Sequence, residues 1–178
     1  MENIILLILT LDPKTWVNQI LYLVAKHQCF VEESRCSVLG TEWGGSLRIS
    51  GNWNTLAKLE DALTALQNEQ PGLWLKFKRS PVLKLTEDHM PYLLQIVAVN
   101  TPNLLNDLTL FLVEQDIQLI DFQTDAFKSN YSETKLLNLL MRVHIPATIN
   151  ISELRERFML LCEDLNADGI LEPEKSIK

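Results

Sequence analysis

The chain writes one supersecondary pattern twice, and this repeat limits its possible folds more than any other feature. The first half opens with "NIILLI" (3–8), a strand with two apolar faces. Asp12 is a good N-cap and Pro13 suits a first helical position, so a helix is expected to about His27. "CFVEESRCSVL" (29–39) and "SLRIS" (46–50) read as a hairpin around the turn "GTEWGG" (40–45), closed by Gly51. Asn54 can cap a second helix with Leu56, Leu59, Leu63 and Leu66 on one face. "PG" (71–72) ends that helix, and "LWLKFKR" (73–79) is a fourth strand.

The second half runs through the same order. "YLLQIVAVN" (92–100) is a strand, and Pro102 precedes a helix with Leu104, Leu108 and Phe111 on one face. "IQLIDFQTDAF" (117–127) and "KLLNLLMRVHI" (135–145) are strands around the polar loop "KSNYSET". Asn150 and Glu153 make a capping box for a helix bearing Leu154, Phe158, Leu161 and Leu165, and "DGILE" (168–172) is the last strand. The halves align at an offset of 88, which sets Asp12 on Asn100 and Val31 on Leu119. Each half is a βαββαβ unit, an antiparallel four-stranded sheet with both helices on one face. The expected division is 1–80, a linker over 81–90, and 91–178.

The first strand asks for more than this fold supplies. Ile4, Leu6 and Ile8 can face the helices only if Ile5, Leu7 and Leu9 face away, or the reverse. Leaving such side chains in water forgoes roughly 1.5–3 kcal/mol each. The second face or the edge is therefore expected to be covered, by the other half or by another chain, and a homo-oligomer follows.

Charge and cysteine usage narrow the class. A formal net charge of -7 and scattered basic residues disfavour a phosphate-backbone binder, and "KFKR" (76–79) reads as a solvated strand end. The βαββαβ order is shared with RNA-recognition motifs, but those need aromatics on the central strands and a basic face. Cys29, Cys36 and Cys162 form no CxxC pair, so buried reduced thiols and a cytoplasmic location are expected. The N-terminal apolar run has no positive n-region or cleavage site and is too short to span a membrane. Glu87, Asp88 and His89 lie together without a fourth ligand, so no metal and no cofactor are expected. "SETK" (132–135) lacks the companions of a catalytic S-x-x-K motif, and no other nucleophile, P-loop or dinucleotide fingerprint appears. Trp16, Trp53 and Trp74 are expected as core or interface anchors, and Cys162 as packing.

The tandem pattern resembles a pair of ACT domains. "VEESRCSVLGTEWGGSLRISGNWN" (31–54), "LLNDLTLFLVEQDIQL" (104–119) and "LCEDLNADGI" (161–170) resemble the family of repressors of the glycine cleavage operon. That resemblance implies a non-enzymatic regulator that contacts a DNA-bound activator rather than DNA, with glycine modulating the contact. The alternative is an amino-acid-sensing ACT module acting on another partner or enzyme.

ACT domains bind amino acids at the first strand–helix turn, with a pattern like Asp/Asn-x-Pro-Gly and an amide supplied from a neighbouring domain. The glycine lets backbone approach a ligand whose carboxylate meets the helix-start N–H groups. In the first half Asp12 matches, but Lys14 and Thr15 replace Pro-Gly and Phe30 replaces the amide. In the second half Asn100, Pro102 and Gln118 match around Thr101, and Asn103 replaces the glycine. The turn at Asn100 is thus the better candidate.

Overall fold

A computed structural model describes residues 2–81, 88–128 and 133–174. The chain divides into two compact units, 1–84 and 85–178. Unit 1 runs β1 (Glu2–Thr10), α1 (Pro13–Lys26), β2 (Phe30–Leu39), β3 (Glu42–Gly51), α2 (Trp53–Glu69) and β4 (Leu73–Ser80). Its antiparallel sheet has the order β2-β3-β1-β4. Unit 2 runs β5 (His89–Val99), α3 (Leu104–Glu114), β6 (Gln118–Lys128), β7 (Lys135–Pro146), α4 (Ile151–Asp164) and β8 (Ala167–Pro173). Its sheet has the equivalent order β6-β7-β5-β8.

Apolar periodicity builds each core. In unit 1, Ile4, Leu6 and Ile8 of β1 are buried with Ile20 and Val24 of α1 and the α2 stripe Leu56, Leu59, Leu63 and Leu66. Both helices therefore cover one sheet face. In unit 2 the alternation Leu137, Leu139, Met141, Val143 and Ile145 along β7 points inward against Leu104, Leu108, Phe111, Leu154 and Phe158. The α+β fold of two ferredoxin-like units is the one the repeat implies.

The repeat extends to irregularities. The register of β2 on β3 shifts between Val31 and Glu33, and that of β6 on β7 between Leu119 and Asp121. Gln28 and Asp116, each just past the first helix of its unit, both take positive φ (55° and 54°). These pairs obey the same offset as Asp12 and Asn100, so bulge and helix stop belong to the repeated unit.

Several local boundaries differ from the sequence reading. The β2–β3 turn is only Gly40-Thr41, with Gly40 at φ +64°, and Glu42–Gly45 belong to β3. Gly45 sits in the strand because a Cβ there would lie 2.9 Å from both the Cys36 sulfur and the Trp43 ring. Gly51 ends β3 as a paired residue, opposite Glu2, rather than breaking the strand; a Cβ there would lie 2.7 Å from Thr55 Oγ1. The cap of α2 is Asn52, not Asn54: its side chain accepts from Thr55 N at 2.8 Å, and Thr55 Oγ1 accepts from Asn52 N at 3.1 Å. Asn150 caps α4 through Ser152 N at 3.0 Å, with Glu153 only accepting from the Asn150 amide, so the reciprocal box is not formed. His89 and Met90, read as linker, start β5, while 82–87, including Glu87, lie outside the described residues. Trp16 packs against the core, but Trp53 is 67% exposed and stacks under Arg79, 5.7 Å from its ring centre.

Candidate functional site

In unit 1 the strand–helix turn is closed by its own side chains. Thr10 is buried, and its hydroxyl accepts from Asp12 N at 3.0 Å. Asp12 caps α1, with Oδ1 accepting from Thr15 N at 3.2 Å and its carbonyl accepting from Trp16 N at 3.3 Å. Hydrogen bonding from Thr15 holds the Asp12 carboxyl below its ordinary range, and the nearby Lys14 charge helps. A carboxylate thus already occupies the positive end of α1. Lys14 and Thr15 are exposed beside it.

The equivalent turn in unit 2 is built differently. Asn100 N donates to Lys135 O at 3.0 Å, which fastens the end of β5 to the start of β7. Asn103, at the head of α3, has helical backbone angles (φ -90°, ψ -16°) and makes no side-chain cap bond. The turn is held by backbone alone: Leu104 N donates to Thr101 O at 3.3 Å, and Asp107 N to Asn103 O at 2.9 Å. Asn100, Thr101, Pro102 and Asn103 are all exposed. The helix start therefore has no side-chain cap, where its unit 1 counterpart has one, although Asp107 places a carboxylate in its first turn.

Gln118 does not join this turn. It opens β6 opposite His144, which lies opposite Pro91, whereas Asn100 follows Val99 at the other end of β5. The eight-residue step from Pro91 to Val99 spans roughly 27 Å at the rise of an antiparallel strand. Gln118 therefore cannot reach the Asn100 turn of its own unit, and Phe30 stands equally far from Asp12 in unit 1.

No catalytic constellation accompanies these turns. Among the described residues no group of three His, Cys, Asp or Glu side chains could hold a metal ion. Burial pushes the Cys162 thiol up, with Asp168 adding to the effect; Cys36, on the edge strand β2, is exposed and not buried as expected, and partial desolvation still raises it. Neither favours the thiolate a nucleophile needs. A cleft of about 400 Å3 lies between Trp53 and Ser80, but its cation, Arg79, is engaged by Glu60, Glu2 and the Trp53 ring. Among the described residues no helix is long and apolar enough to cross a membrane.

Lys76 and Lys78 are exposed, as a solvated strand end requires; they alternate with buried Leu75 and half-buried Phe77 and lie opposite Leu7 and Ile5 of β1 on the outer sheet face.

Residues 5–77 match the model of the ACT domain family. The glycine cleavage system transcriptional repressors of Escherichia coli (strain K12) and Shigella flexneri are each 24% identical over 153 residues, covering 86% of this chain and 80% of the relative. The crystal structure of an unknown protein from Galdieria sulphuraria superposes with a TM-score of 0.82 at 17% identity, over 98% of this chain and 99% of that one. A crystal structure described as a candidate glycine cleavage system transcriptional repressor superposes with a TM-score of 0.73 at 19% identity, over 98% of both chains. Unit 1 thus matches an ACT domain over residues 5–77, unit 2 repeats its βαββαβ order, and the chain as a whole resembles the glycine cleavage system transcriptional repressor.

Proposed function

We propose that the chain is a non-enzymatic cytoplasmic regulator that represses by contacting a DNA-bound transcriptional activator, with glycine or another small amino acid as its signal. The observation that carries this reading is similarity to a transcriptional repressor along 86% of the chain, across both units. The acidic charge supports a protein partner over direct contact with nucleic acid. The amino-acid site proposed is the turn Asn100-Thr101-Pro102-Asn103, whose uncapped helix start can receive a ligand carboxylate. Asp12, Lys14 and Thr15 are proposed as a vestige of that site, because the Asp12 carboxylate stands where a ligand anion would go.

The test is capture of partners from native lysate on the immobilised chain, with and without glycine. Recovery of a helix-turn-helix activator, in an amount that glycine changes, supports the reading. Recovery of metabolic enzymes alone overturns it and favours a sensor module acting on an enzyme.

A further inference from the structure

Among the described residues, the buried polar side chains are Asn3, Thr10 and Ser50 of unit 1, and they are not equally satisfied. Thr10 Oγ1 accepts from Asp12 N, and Ser50 Oγ donates to Glu32. Asn3 lies between Ser50 of β3 and Ser80 of β4 in the sheet and is 4% exposed. Its side-chain amide has no hydrogen-bond partner among the described residues, and both amide atoms keep a little exposure. An amide so covered and yet unpaired is costly, and native structures seldom keep one.

Asn3 lines the cleft of about 400 Å3 where β1 begins, β4 ends and α2 starts, together with Glu2, Trp53, Arg79 and Ser80. Arg79 does not serve this cleft as a free cation. Its Nε and Nη2 donate to Glu60 at 3.1 Å, its Nη1 donates to Glu2, and its guanidinium lies 5.7 Å from the centre of the Trp53 ring. It therefore holds the exposed indole at the rim. Two carboxylates stand against this one guanidinium. Beyond Asn3 on the outer sheet face are one charge of each sign, Glu32 bonded to Ser50 and Lys78 opposite Ile5.

We propose that this cleft binds a small uncharged planar heterocycle whose edge sets a hydrogen-bond donor beside an acceptor, the chemistry of an aminopurine. The Asn3 amide offers the matching acceptor and donor in one plane. Trp53 offers an aromatic surface for the ring to lie against. The volume falls in the range of about 300–1,000 Å3 usual for small-molecule sites. A carboxylate or phosphate ligand needs a cation that is not already paired, and Arg79 is engaged twice over. An aliphatic ligand would fill the space and leave the amide unpaired. The site is separate from both strand–helix turns: Asn100 belongs to unit 2, and Asp12 follows the opposite end of β1 from Asn3.

Equilibrium dialysis of the full chain against adenine and adenosine tests this. Purine, which lacks the amino donor, and adenosine 5′-monophosphate, which adds a phosphate, are the controls. The wild-type chain should take up adenine and adenosine saturably, and each control at least about tenfold more weakly. Asn3→Leu and Trp53→Ala should each weaken adenine binding by at least about tenfold, with circular dichroism checking that both stay folded. Without a probe, Asn3→Leu should melt no lower than wild type, because no hydrogen bond is lost. A clearly lower melting temperature would show the amide bonded in the free chain and overturns the proposal. So does an absence of saturable uptake, or binding that both variants keep, which would leave only water on the Asn3 amide. Tighter binding of the monophosphate than of adenosine overturns it as well, since the ligand would then be an anion.

Discussion

The two strand–helix turns occupy the same place in the repeat and treat their helix starts oppositely. In unit 1 Asp12 folds its carboxylate onto Thr15 N and supplies the negative charge itself. In unit 2 Asn103 has already entered helical geometry, too far round for its side chain to reach back, and the start of α3 has no side-chain cap. One turn invests its polar side chain in capping, and the other is held by backbone alone. Duplicated units can thus share a fold while only one closes its helix start with a side chain.

The comparison is sharpened most by separating the two cores. Phe158→Ala should cost about 3–5 kcal/mol and Leu59→Ala about 2–5 kcal/mol, because each empties a fully buried position in its own unit. Calorimetry should show each substitution lowering the melting transition of its own unit most. Equal shifts of a single transition would mean that the units unfold together.

The next effect is ligand-linked. Glycine at 100-fold its dissociation constant should stabilise the wild-type chain by about 2.7 kcal/mol, seen as a raised melting temperature. Asn100→Ala should abolish that rise, and Asp12→Ala should leave it intact. The reverse pattern would move the ligand to unit 1 and break the comparison.

Helix capping itself predicts a smaller contrast. Asp12→Ala should lower the thermal stability of unit 1, since α1 loses its side-chain cap. Asn103→Ala should stay within about 0.5 kcal/mol of wild type in chemical denaturation, since no cap bond is lost. A comparable loss at both sites would show that Asn103 caps α3 in solution.

The smallest effect is in pH. The folded Asp12 carboxyl titrates below its ordinary value of 3.8, so the unfolded chain binds that proton first on acidification. The stabilisation is fully present above the ordinary value and is lost as pH falls through the folded one. Melting curves from about pH 5 to pH 2 should show a shallower acid loss for Asp12→Asn than for wild type.

Much of this architecture was legible because the repeat states each element twice. The β7 alternation and the α2 stripe named their buried faces directly, and Asp12-Pro13 marked a helix start that the structure keeps. Local errors came where glycine serves packing rather than turning. Gly45 and Gly51 read as breakers, yet each sits in β3 making room for a neighbour that only the fold brings close. Asn52 and Asn54 are chemically equal caps, and only the backbone path into α2 selects the former. Gln118 lies at the far end of its sheet from the Asn100 turn, so the amide role that the resemblance implies for it is one toward a neighbouring domain and not toward its own turn.

By itself the sequence determined the paired βαββαβ units, their buried faces and the absence of the Pro-Gly pattern from both turns. These follow from residue type and short-range spacing. Tertiary structure alone decided which apolar set of β1 faces outward, which helix start goes without a side-chain cap, and which charges share a surface. Each of these depends on strand register, because a register brings together residues such as Arg48, Ile5 and Lys78 that lie far apart along the chain.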